Sequence, residues 1–61
     1  MTSYNLFFTD TRGAVLHRLA IHGESDDEVM AQLPEYDDGH DIEIWDGERL
    51  VAIYRSGKKR P

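Results

Sequence analysis

Asp41-Ile-Glu-Ile-Trp-Asp-Gly-Glu-Arg-Leu-Val-Ala-Ile-Tyr54 is the stretch on which the fold of this chain turns. Two alternating runs of strand-forming residues flank Asp46-Gly47, which is the pattern of a β-hairpin. A two-residue turn at Gly47-Glu48 sets Ile44 across from Val51 and Ile42 across from Ile53, with Asp46 facing Arg49 at the mouth. If Asp46 and Gly47 themselves turn, Ile44 meets Arg49 and the faces of the second strand swap. Either register leaves apolar side chains on both faces, whereas a hairpin packed on one side needs only one such face.

Upstream, Tyr4-Asn-Leu-Phe-Phe-Thr9 and Ala14-Val-Leu-His-Arg-Leu-Ala-Ile21 are two further runs rich in aromatic and branched residues. The intervening Asp10-Thr-Arg-Gly13 makes a turn, because Asp10 can accept from turn amides and Gly13 can take positive φ. Between the hairpins, Ser25-Asp-Asp-Glu28 is a helix start. Ser25 can cap the amide of residue 28, Glu28 can reach back to the cap residue's own amide, and Asp26 and Asp27 sit where free amides favour carboxylates. Val29, Met30 and Leu33 fall at helical spacing and predict a buried stripe. Pro34 restricts the residue before it, so the spacing predicts a helix ending near Gln32 or Leu33. Glu35 to His40 is a polar connection with a break at Gly39.

The order is therefore ββαββ: an α+β domain with a four-stranded, mostly antiparallel sheet and one short helix on one face. Residues 1–56 form a single domain and residues 57–61, Gly-Lys-Lys-Arg-Pro, a flexible basic tail. Under the helix, alternation places Tyr4, Leu6, Phe8, Val15, His17, Leu19 and Ile21 with Ile42, Ile44, Val51 and Ile53. The opposite face then holds Phe7, Leu16, Ala20, Trp45, Leu50, Ala52 and Tyr54 among Asn5, Arg18, His22, Asp41 and Glu43. Such a patch is too apolar to be left bare, and Trp, Tyr and Arg are residue types that anchor interfaces. Phe7, Leu16, Trp45, Leu50 and Tyr54 are the candidate contact residues of a homodimer. At about 25 cal/mol per Å², burying roughly 500 Å² of this surface per subunit supplies on the order of 10 kcal/mol before association costs.

A chain of 61 residues needs that help. A domain this small hides only about 60% of the surface its unfolded form exposes. With no cysteine, it has no disulfide or thiolate metal site to compensate for a thin core. The beginning lacks a basic leader and no apolar run approaches the roughly 20 residues that span a bilayer, which points to the cytoplasm and away from a membrane.

The net charge of −5 is unevenly spread. Residues 1–23 carry +1, residues 24–48 carry eleven carboxylates without a Lys or Arg, and residues 49–61 carry +5. Solvated loops and a solvated helix face account for the acids. A second reading is an acidic surface of Asp26, Asp27, Glu28, Asp37, Asp38 and Asp41 that docks a basic, nucleic-acid-binding protein by mimicry.

Candidate chemistry is thin. His17 and His22 lie five apart on a strand and face opposite sides, so they share no metal within a subunit. His40 sits beside Asp37, Asp38 and Asp41, but these acids miss the alternating spacing of a calcium loop, and no metal or cofactor is expected. Ser25 is used as a cap, and Asp26 and Asp27 lie at an exposed helix start, so no nucleophile or tuned acid emerges. An enzyme is not expected. Nucleic acid is not expected either: Tyr4, Phe7 and Phe8 could stack bases, yet the sheet lies among acids, and the tail offers only weak, salt-sensitive phosphate contacts.

Glu43-Ile-Trp-Asp-Gly-Glu-Arg-Leu-Val51 resembles the ending of a group of small bacterial proteins of unknown function. These begin with an aromatic-rich strand, here Tyr4 to Phe8, turn at an Asp/Gly segment, here Asp10 to Gly13, carry an acidic helix start, here Ser25 to Glu28, and close with a Trp-x-Gly-x-Arg hairpin. The resemblance spans most of residues 4–54. It implies a bacterial, stand-alone domain and carries no activity with it. Pro34 in a short helix is this chain's departure from the pattern.

Overall fold

The structure, a computed structural model, describes residues 2–57. The elements run β1 (Thr2–Thr9), β2 (Val15–Gly23), α1 (Asp26–Tyr36), β3 (Asp41–Asp46) and β4 (Arg49–Tyr54). They give the expected ββαββ fold, with four antiparallel strands in one sheet ordered β2-β1-β3-β4. The N-terminal strand thus pairs with its hairpin partner on one side and with β3 on the other. The two hairpins become a single sheet through β1 and β3.

Both turns form where their residues direct. Asp10 Oδ1 accepts from the amides of Arg12 and Ala14 at 2.8 and 2.9 Å, and Gly13 takes φ of +84°. At the second turn Asp46 pairs with Arg49 around Gly47-Glu48, with Gly47 at φ +61°, the left-handed first position that favours glycine.

The helix begins as read: Ser25 Oγ accepts from the Glu28 amide at 3.2 Å. The Glu28 carboxylate reaches the amide of Glu24, one residue before the cap. Its end is different. The helix continues through Pro34 to Tyr36, past the expected stop at Gln32 or Leu33. Proline forfeits one helical donor. That loss is outweighed by burial, because Leu33 is fully enclosed and Tyr36 packs on the core.

Under α1 the core consists of Tyr4, Leu6, Phe8, Ile21, Val29, Leu33, Ile42 and Ile44. Each fully buried aliphatic side chain contributes about 1.5–3 kcal/mol relative to exposure. The helix sits so close to the end of β2 that a Cβ on Gly23 would come 2.5 Å from Val29 Cγ2.

Each hairpin contains one register shift, and these shifts correct the expected faces. In the first, Phe8 pairs with His17 but Thr9 pairs with Val15, so Leu16 is an extra residue and Val15 joins the face of Thr9, away from α1. In the second, Asp46 pairs with Arg49 and Trp45 with Leu50, but Ile44 pairs with Ala52 and Ile42 with Tyr54. The turn is the expected one, yet Val51 is an extra residue and reverses the faces beyond it. Ala52 and Tyr54 therefore pack against the core, while Ile53 lies opposite Glu43 on the helix-free side.

Candidate interaction surface

Pairing places the helix-free side chains in rows across the sheet. One row runs Arg18, Phe7, Glu43, Ile53 and the next Ala20, Asn5, Trp45, Leu50, each in the order β2, β1, β3, β4. Val15 flanks the first row, and His22, opposite Ser3, flanks the second. Phe7, Val15, Glu43, Trp45 and Gly47 line a groove of about 340 Å³ on this face.

The groove has an ordered wall. Glu43 and Trp45 are two apart on β3 and project to the same side, and Trp45 Nε1 donates to Glu43 Oε1 at 3.1 Å. This bond satisfies the indole and holds its ring beside Phe7. Phe7 and Trp45 are half-buried, whereas Val15, Leu50 and Ile53 are exposed at 56, 44 and 45%.

Of the expected contact residues, Phe7, Trp45 and Leu50 lie on this face. Leu16 is the bulged residue of edge strand β2 and is exposed. Tyr54 is not on the face: it pairs with Ile42, and its hydroxyl donates to Asp37 Oδ2 at 3.2 Å. Val15 and Ile53 take the places that Leu16 and Tyr54 were expected to fill. Neither could be read from alternation, because a single bulged residue changes the pairing without changing the pattern along either strand.

The acidic residues do not form one free surface, since Asp26 and Asp37 hold the helix onto the sheet and Asp41 ties β3 to the end of β4. At its start, Asp26 accepts from the Tyr4 hydroxyl at 2.8 Å and receives both Arg49 guanidinium nitrogens at 3.2 Å, and Arg49 also meets Asp46. The Arg49 and Tyr4 bonds lower the pKa of Asp26, and the same carboxylate raises that of Tyr4. At the helix end, Asp37 is buried. It accepts from Ser56 Oγ at 2.6 Å, from the amides of Gly39 and Gly57 at 2.9 Å each, and from Tyr54. These bonds, Ser56 foremost, hold its carboxyl at about 2. Asp41 accepts from the Ser56 amide and pairs with Arg55, both at 2.9 Å.

Asp37 and Asp41 thus tie the end of α1 and the start of β3 to the end of β4. Gly57, expected in the tail, is bonded to the domain through Asp37; residues 58–61 of that tail lie outside the described residues. Asp38 bonds the amide and ring of His40, while Asp27 and Glu28 remain exposed on the helix start.

His17 stacks on Phe8 with ring centroids 4.1 Å apart, on the side opposite His22. A second hollow of about 260 Å³ lies at the C-terminal end of β1, lined by Thr9, Asp10, Thr11, Gly39, His40 and Asp41. Among the described residues no group of three or more His, Asp or Glu side chains is arranged to hold a metal ion, and no helix is long and apolar enough to cross a membrane. The chain matches no protein-family model, no curated protein and no solved structure when compared with them.

Proposed function

We propose that this chain is a small non-catalytic protein-interaction module that self-associates, as a homodimer in the bacterial cytoplasm, through the helix-free face of its sheet. One observation carries the reading: α1 shields one face of the sheet, while the other presents Phe7 and Trp45 in a groove flanked by exposed Val15, Leu50 and Ile53. A single helix is too narrow to shelter both faces, and an apolar surface of this kind is stabilised by a second molecule. The acidic-mimic alternative draws less support, because Asp26, Asp37 and Asp41 are engaged within the chain.

Sedimentation velocity across a dilution series tests the proposal. The wild-type chain is expected to shift from dimer to monomer on dilution, and Trp45→Ala to move that shift to higher concentration. Monomer throughout, at high micromolar protein, ends the proposal.

A further inference from the structure

The rows of the helix-free face carry a charge pattern that selects one way for two copies to meet. Arg18 and Glu43 flank Phe7 directly, one on β2 and the other on β3. Neighbouring strands lie about 4.8 Å apart, so the two charges stand roughly 10 Å apart with the phenyl ring between them. The Arg18 side chain makes no hydrogen bond or ion pair among the described residues, and Glu43 uses one oxygen on Trp45 Nε1. Among the described residues of one copy the cation has no carboxylate partner. In the adjacent row the smallest and largest side chains, Ala20 and Trp45, occupy the same two strands on either side of Asn5.

We propose that a second copy of this chain docks on the face about a twofold axis that runs parallel to β1, midway between the two sheets and over Phe7; this rests on the self-association proposed above. That axis exchanges left and right across the sheet while turning the faces toward each other. Arg18 then faces Glu43 of the partner subunit, twice over. Phe7 lies on its own symmetry mate, and Ala20 lies under the partner's Trp45, a small side chain against a large one. Facing sheets pack about 10 Å apart with strand directions within about 30°, a gap that an arginine and a glutamate together span. An axis across the strands at this row would set Arg18 on Arg18 and Glu43 on Glu43, which like charges oppose. The contact buries on the order of 1,000 Å² in total, the low end for specific interfaces, so the dimer is a concentration-dependent one.

A charge-swap cycle tests the pairing: wild type, Arg18→Glu, Glu43→Arg and the double variant, each by sedimentation velocity across a dilution series with circular dichroism as a fold check. Each single reversal acts twice per dimer and is expected to raise the dissociation constant about ten-fold or more, and the double variant to recover most of that loss. Glu43→Gln keeps an acceptor for Trp45 Nε1 while removing the charge. It is expected to weaken the dimer as well, which separates the ion pair from the indole bond. A wild-type dimer that ignores the single reversals, or a double variant as weak as the singles, overturns the axis and leaves self-association standing. A wild-type chain that stays monomeric overturns the self-association on which the axis rests.

Discussion

Leu6 and Phe7 are neighbours on β1, yet Leu6 is fully enclosed and Phe7 forms the floor of a groove open to solvent. The same contrast runs through the sheet: Ile42 and Ile44 against Glu43 and Trp45 on β3, Ala52 and Tyr54 against Ile53 on β4. One face is completed within the chain by α1, and its binding to the sheet is reinforced by polar contacts at both helix ends, Asp26 at the start and Asp37 at the finish. The other face has no covering element among the described residues. Stability and association are thus divided between two surfaces that share every strand, and substitutions should separate them.

The largest effect is expected on the covered face. Leu33→Ala removes a fully buried side chain at the centre of the helix contact and should cost about 3 kcal/mol, measured as a lower urea midpoint. A loss below about 1 kcal/mol would mean that α1 contributes little to the core. Next comes the close approach of helix and strand. Gly23→Ala forces its new Cβ against Val29 and should destabilise by about 2 kcal/mol in thermal unfolding, the scale of overpacking a well-filled core.

Asp37→Asn should lower the melting temperature by on the order of 5–10 °C at neutral pH, since four donors lose a charged acceptor. It also sharpens the comparison through pH. The Asp37 carboxyl is held at about 2, below its ordinary 3.8. Its contribution is therefore complete above about pH 4 and is lost as pH falls toward 2. The wild-type chain should destabilise across that window, and the Asn variant, weaker from the start, should lose less there; Trp45 fluorescence against pH distinguishes the two curves.

Trp45→Ala addresses the open face, where the prediction is a difference in kind. The dimer dissociation constant should rise about ten-fold, while the stability of the dilute monomer, read from urea unfolding, falls by only about 1 kcal/mol. Equal losses in both measurements would erase the division between the faces. The smallest effect is expected at Leu19, which shares the covered face by pairing with Leu6 but lies on edge strand β2 and is 37% exposed. Leu19→Thr should cost no more than about 1 kcal/mol by urea titration, because cover depends on the reach of the helix as well as on the face.

Local chemistry made much of this architecture legible. The turns at Asp10 to Gly13 and at Gly47-Glu48, the Ser25 cap and the stripe of Val29, Met30 and Leu33 are each set by residues within a few positions of one another. Pro34 misled for the same reason: its restriction on Leu33 is local, and the burial of Leu33 and Tyr36 that overrides it is not. Phe7, Trp45 and Leu50 could be assigned to the open face from alternation. Val15, Ile53 and the inward turn of Tyr54 could not, since a bulge is decided by what the opposite strand offers. The role of Asp37 was hidden as well, because its partners Tyr54, Ser56 and Gly57 are 17 to 20 residues away.

From its residues alone this chain declares four strands, one capped helix, two turns and more apolar surface than the helix can hide, because each follows from short-range geometry and side-chain character. Strand order, the two bulges and the faces of the residues these displace were decided only when the strands paired and the helix settled. Contacts far apart in sequence compete there for a limited number of partners, and the arrangement that fills the space under α1 most completely determines which side chains are left for a second molecule.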